Sequence, residues 1–73
     1  MYTAKLFDDL FSSNPAMIIE NHRAKTLLEA LQNAINRSAD FNVPGFDPII
    51  RIDIYADGVY VDTSVLKDGS FIL

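Results

Sequence analysis

The part of the chain with the most chemical content is Ile50–Thr63, where apolar and polar residues alternate on both sides of Asp57-Gly58. An Asp-Gly pair favours a type I′ turn, because that turn needs positive φ at both central positions. A two-residue turn at this point sets the residues that face each other across the hairpin: Tyr55 with Tyr60, and Asp53 with Asp62. We therefore expect one hairpin face to carry an aromatic pair beside a carboxylate pair.

Opposed carboxylates on a sheet destabilise it, since their β-carbons lie only about 4.5–5.5 Å apart. A compensating cation is therefore needed, and Arg51 or Lys67 could supply it from within the chain. In that case the face is an ordinary solvated surface. A basic group of a partner, or a hard metal ion, would supply the cation from outside. A partner-binding face is the functional interpretation, because tyrosines are enriched in interfaces and carboxylates select basic groups.

Metal binding and catalysis fit this pattern poorly. Calcium takes six or more oxygen ligands, and no acidic loop of that density is present in the sequence. The chain has no cysteine and His22 is its one histidine, so thiolate and multi-histidine sites are excluded within one chain. A flat sheet face provides no pocket that would shift the pKa of a carboxyl group. We expect a protein that is not an enzyme and that carries no cofactor or metal.

The pattern of elements predicts an α+β fold: a short N-terminal helix, one long helix, and a three-stranded antiparallel β-meander with the long helix packed on one face. Apolar residues at helical spacing predict the short helix within 3–11: Leu6, Phe7, Leu10 and Phe11. Three- and four-residue apolar spacing from Ala24 to Ile35 predicts the long helix, which ends at Ser38–Asp40.

The start of the long helix is open, because Pro15–Glu20 fits either a helix or a strand. We favour one helix that runs from Pro15 and bends near Asn21–His22. In the alternative, Met17–Ile19 is a short extended piece and Asn21 caps the helix.

One domain is expected, with a helical half (1–40), a loop (41–48) and the meander (49–73). Pro44-Gly45 predicts a type II turn in the loop. After a turn at Lys67–Gly69, the segment Ser70–Leu73 predicts a final strand with three consecutive apolar residues. As a sheet edge, this strand would favour strand addition and a homodimer. Alternatively, Phe71 and Leu73 fill the core.

The net charge of −4 lies entirely in the second half of the chain. Residues 1–37 sum to zero, whereas residues 38–73 carry six aspartates against Arg51 and Lys67. Such a field repels nucleic acid and anionic membranes and attracts basic surfaces. The apolar stretch Leu6–Phe11 is interrupted by Asp8 and Asp9, so no secretory signal core forms and we expect a soluble, cytoplasmic protein.

These features predict a small acidic protein-binding module that occludes a basic surface of a partner, such as one that binds nucleic acid. The expected partner-binding residues lie on the hairpin: Asp53, Tyr55, Asp57, Tyr60 and Asp62. In size, acidity and lack of cysteine the chain resembles phage-encoded inhibitors of host defence such as anti-CRISPR proteins, a resemblance of composition that implies steric and electrostatic occlusion. The alternative is a homo-oligomeric structural or assembly subunit with no inhibitory role.

Overall fold

The computed structural model describes residues 1–72, which form a five-stranded antiparallel sheet with one α-helix on one of its faces. In chain order the elements are β1 (Tyr2–Phe7), β2 (Met17–Asn21), α1 (Leu27–Ser38), a 3₁₀-helix (Ala39–Phe41), β3 (Arg51–Ala56), β4 (Val59–Lys67) and β5 (Ser70–Ile72). The strand order in the sheet is β2-β1-β3-β4-β5. The α+β class agrees broadly with the prediction, but the predicted architecture of two helices and a three-stranded meander is wrong.

The predicted N-terminal helix is instead the strand β1. Ala4 and Leu6 face α1 and are buried, while Phe7 is buried on the opposite face beneath Arg51. The predicted helix would have Leu6 and Phe7 on the same apolar side, whereas adjacent residues of a strand point to opposite faces. An isolated two-turn helix is marginal in water. As a strand, residues 2–6 gain hydrogen-bonded partners on both sides, in β2 and β3.

The segment Pro15–Glu20 is extended, so the favoured single helix with a bend near Asn21–His22 is wrong. Met17, Ile19 and Asn21 are half-buried and alternate with exposed residues, as in a strand with one covered face. The Asn21 side chain accepts hydrogen bonds from the N–H groups of the residues two and three positions later, which makes a tight turn rather than a helix cap.

Helix α1 begins at Leu27 because Thr26 caps it. The Thr26 hydroxyl accepts the N–H of Glu29 at 3.1 Å, and the Glu29 carboxylate reaches back to accept the N–H of Lys25 at 2.9 Å. The helix ends at Ser38, as predicted, and no helix within residues 1–72 is long and apolar enough to cross a membrane.

The core lies between α1 and the strands β1 and β3. Its buried members are alternate residues of β1 and β3, one stripe of the helix, and Ile49 just before β3: Ala4, Leu6, Leu31, Ala34, Ile49, Ile52 and Ile54. Sequence spacing predicted the contribution of the helix, whereas that of β1 follows only from its pairing with β3.

The predicted two-residue turn at Asp57-Gly58 and the predicted turn within Lys67–Gly69 are both confirmed. Asp57 and Gly58 have φ values of 50° and 84°, as a type I′ turn requires, and Asp68 and Gly69 repeat this geometry with 52° and 83°. The predicted final strand is present as β5, and its last predicted residue, Leu73, lies outside the described residues.

The predicted ladder between β3 and β4 is correct next to the turn and wrong beyond it. Tyr55 pairs with Tyr60 as expected, but Ile54 pairs with Asp62 and Asp53 pairs with Thr63. Strand β4 therefore contains one extra residue, Val61, in a β-bulge. A regular ladder would oppose two carboxylates. The bulge separates them onto different faces and brings a hydroxyl to Asp53 instead.

Substitution of Leu6 and Leu10 by alanine distinguishes the strand from the predicted helix. In the structure Leu6 is fully buried and Leu10 is exposed in a loop. Leu6→Ala should therefore lower the free energy of unfolding by about 2–5 kcal/mol, and Leu10→Ala by less than about 0.5 kcal/mol. Urea unfolding of the two variants measures both values. A similarly large loss of unfolding free energy in both variants would indicate that this segment forms the predicted helix instead.

Candidate functional site

The sheet has one face without a helix, here called the open face. Its central residues come from three adjacent strands: Lys5, Arg51, Asp53, Tyr55, Tyr60 and Thr63. Helix α1 covers the opposite face, where it contacts β1 and β3. The open face is therefore the surface on which the predicted partner-binding residues are expected to lie together.

Two tyrosines form a fixed aromatic pair at one end of the open face. The rings of Tyr55 and Tyr60 meet edge to face, with centroids 5.8 Å apart and an angle of 74° between the planes. The Lys5 ammonium lies 4.4 Å from the centroid of the Tyr55 ring on the other side, in a cation–π contact. Tyr60 remains 52% exposed. The pair is thus held in place while much of its surface meets solvent.

A short chain of hydrogen bonds joins this aromatic pair to Asp53. The Thr63 hydroxyl donates to Asp53 Oδ1 at 2.8 Å, and it lies 2.7 Å from the Tyr60 hydroxyl. A hydroxyl has only one proton, so Thr63 must accept the second bond and Tyr60 must donate it. The Tyr60 oxygen therefore presents only lone pairs to solvent, and it can bind only a donor.

Arg51 neutralises Asp53 from within the chain. The guanidinium Nε lies 3.4 Å from Asp53 Oδ1, and the side chains of Arg51 and Asp53 are only 13% and 16% exposed. The guanidinium also stacks on the Phe7 ring, 3.7 Å from its centroid. Of the compensating cations considered from the sequence, the structure thus places Arg51 against Asp53.

Arg51 also fixes the loop between β1 and β2. Its two terminal nitrogens donate to the carbonyl oxygens of Leu10 and Ser12, the second at 2.7 Å. Between these anchors the Phe11 N–H donates to the Asp9 carboxylate at 2.9 Å. The Phe11 side chain is nevertheless 91% exposed. The sequence prediction missed this feature because it assigned Phe11 to the apolar side of a helix.

Asp57 lies at the tip of the hairpin, beside the chain start. Its carboxylate is largely exposed and forms an ion pair with the Met1 ammonium, while its N–H donates to the Met1 carbonyl at 2.9 Å. The Met1 ammonium, by hydrogen bonding and by charge attraction, holds the pKa of Asp57 below its ordinary value of 3.8.

Asp62 lies on the other side of the sheet from the tyrosine pair. It pairs with the buried Ile54, whose side chain faces α1, and its carboxylate accepts the N–H of Thr63 at 2.8 Å. The predicted opposition of Asp53 and Asp62 is therefore wrong. Asp53, Tyr55 and Tyr60 share the open face, Asp57 lies in the turn beyond it, and Asp62 is separate from them.

Two grooves flank α1, and neither includes the tyrosine pair. One of about 400 Å³ lies between the helix and β2, and one of about 420 Å³ lies between the end of the helix and the β4–β5 turn. Within residues 1–72, no three acidic or histidine side chains converge as a metal ion would require.

The chain matches no protein-family model, no curated protein and no solved structure.

Replacement of Arg51 tests its role as the anchor of the open face. Arg51→Met should lower the free energy of unfolding by about 1–3 kcal/mol, because it leaves the mostly buried Asp53 carboxylate without its cation. Arg37→Met is the matched control: its ion pair with Asp40, 3.0 Å long, is exposed and should cost less than about 1 kcal/mol. Chemical denaturation measures both. Equal losses in the two variants would contradict the anchoring role.

The ion pair of Asp57 predicts a defined dependence of stability on pH. The folded state has the lower pKa, so the stabilisation is complete above the ordinary value of 3.8 and is lost as the pH falls through the lowered value. Asp57→Asn should therefore unfold more easily than the wild type at neutral pH and equally easily in strong acid. Thermal unfolding across this pH range measures the difference.

Asp68→Asn is the control, because Asp68 occupies the equivalent position in the second turn and forms no ion pair with any described residue. Asparagine tolerates positive φ, so neither variant strains its turn. A stability difference for Asp57→Asn that persists unchanged in strong acid would rule out the ion pair as its cause.

Proposed function

We propose that the protein is a small, non-enzymatic binding module that docks onto another protein through Tyr55 and Tyr60 on its open face. The observation that supports this most directly is that the two rings are fixed by Lys5, by each other and by Thr63, while Tyr60 is exposed and Tyr55 is half-buried. Rigid aromatic side chains give much contact area at little cost in conformational entropy, and they dominate the energetics of many interfaces.

The proposed partner presents a basic surface. The Tyr60 oxygen has already donated its proton to Thr63, so it favours a hydrogen-bond donor such as an arginine or lysine. The net charge of −4 would steer such a surface towards the protein and would oppose direct binding of nucleic acid.

The predicted contact residues have different roles in this proposal. Tyr55 and Tyr60 are the anchors, and Asp57 at the hairpin tip contributes charge at the rim. Asp62 contributes to long-range attraction from the other face. Asp53 holds Thr63 and Arg51 in place and acts through them.

Occlusion would be the mechanism: the docked protein would cover a basic surface of a cytoplasmic partner, such as one that binds nucleic acid. Phage-encoded inhibitors of host defence, including anti-CRISPR proteins, are small acidic proteins of this composition.

The second candidate is a structural or assembly subunit that oligomerises through β5. This strand is an edge of the sheet, and its Ile72 is exposed. Such a subunit would have no inhibitory role and would not need the tyrosine pair.

The proposed interface is tested by affinity purification: the protein is immobilised, an extract of its native source is passed over it, and the retained partners are identified by mass spectrometry. The double variant Tyr55→Ala/Tyr60→Ala should lose at least about thirtyfold in affinity for a partner that the wild type retains, because the loss of even one aromatic anchor costs about 2 kcal/mol or more. Raised salt should weaken the wild-type complex. Circular dichroism establishes that the variant is folded.

The matched control is Val43→Ala/Phe46→Ala, which removes two exposed apolar side chains from a loop outside the open face. This control should retain the partner. Retention by the tyrosine variant with loss in the control would place the interface on the loop and refute the proposal. Asp53→Lys is unsuitable as a test, since it would break the contacts of Arg51 and Thr63 inside the fold.

A further inference from the structure

The strand β2 lies at an edge of the sheet: it pairs with β1 on one side and has no partner strand on the other. It carries few of the features that normally prevent an edge strand from pairing with another chain. Edge strands are usually protected by lysines, prolines, bulges or very short length. Within Met17–Asn21 there is no lysine, proline or bulge, and Glu20 is the one charged residue. Ile18 is 54% exposed on the side of the sheet opposite α1. The backbone and an apolar side chain are thus both available for strand addition.

The opposite edge is better protected. Within the described residues β5 has three residues, the turn before it carries the charged pair Lys67 and Asp68, and the part of β4 that β5 does not cover contains the bulge at Val61. Ile72 on β5 is 51% exposed, almost the same as Ile18. The two edges therefore differ in length and in charge rather than in apolar exposure, which favours β2 as the pairing edge.

We propose that β2 pairs antiparallel with β2 of a second copy, so that two five-stranded sheets join into one continuous sheet in a two-fold dimer. The proposal goes beyond the binding function of the open face and does not depend on it.

The sequence of β2 is compatible with pairing to itself. With Ile19 on the two-fold axis all five residues are paired: Ile19 with Ile19, Ile18 with Glu20, and Met17 with Asn21. No charge then faces a like charge, which would destabilise the pair. Antiparallel pairing about such an axis also keeps the odd-numbered residues of both copies on the helix side, so both helices lie on the same face.

The groove between β2 and α1 is a second surface that can pack against its own copy across the two-fold axis. It is lined by Ile19, Glu20, Arg37, Asp40 and the amides of Asn33 and Asn36. Arg37 and Asp40 already form an ion pair of 3.0 Å. Closure of this groove by its symmetry mate would therefore enclose these two charges as a pair, and the amides can both donate and accept across the axis.

Sedimentation equilibrium of the purified chain over about two orders of magnitude in concentration tests the proposal. The wild type should approach twice its mass of 8.2 kDa as concentration rises. Ile18→Lys should raise the dissociation constant of the dimer by at least about tenfold, because it places a charge on the paired edge. Ile72→Lys makes the same change on β5 and should leave the dimer unchanged.

Three outcomes overturn the proposal: a wild type that stays monomeric throughout, a dimer that Ile72→Lys dissociates and Ile18→Lys does not, and a dimer that resists both. If Ile18→Lys does not fold, amide hydrogen exchange of the wild type at low and high concentration decides. Slower exchange at high concentration within 17–21 supports pairing through β2. If exchange slows only within residues 70–72, or does not slow at all, pairing through β2 is refuted.

Discussion

The open face depends on one half-buried charge, the guanidinium of Arg51. A charged group with little solvent access is costly unless its charge and its hydrogen-bond donors are satisfied. The charge of Arg51 is balanced by Asp53 and by the Phe7 ring, and its two terminal nitrogens donate to two loop carbonyls, whereas its buried Nε has no hydrogen-bond partner. Asp53 is in turn fixed as the acceptor for Thr63, and through Thr63 it sets the direction of the Tyr60 proton. The chemical character of an exposed tyrosine thus follows from an arginine at the far end of β3.

The bulge at Val61 makes this arrangement possible. Without the extra residue, a carboxylate would face Asp53 where Thr63 now donates a hydrogen bond. Because side chains alternate across a strand, one inserted residue reverses the face of everything beyond it. The bulge therefore converts a repulsive pair into a bonded one, and it places Asp62 on the side of the sheet that carries α1.

The elements predicted correctly from the sequence are those whose signals are local. Both Asp-Gly turns, the end of α1 and the pairing of Tyr55 with Tyr60 depend on residues within a few positions of each other. Strand β1 does not: Leu6, Phe7, Leu10 and Phe11 fit a helical stripe, and only pairing with β3, far along the chain, decides for a strand. The bulge was not predicted for a similar reason. A two-residue turn implies a regular ladder of paired residues, and only contacts between the two strands can favour another register.

The loop between β1 and β2 is held by its backbone oxygens, which Arg51 binds at positions 10 and 12, and this has a consequence for how the protein can diversify. Carbonyl groups are common to every amino acid. Substitutions of the outward side chains of Leu10 and Phe11 would leave the framework of the loop in place, so the chemical character of its surface can change during evolution while its backbone conformation is kept. Variation among descendants of this chain should therefore concentrate at the tip of the loop, above an arginine that stays the same.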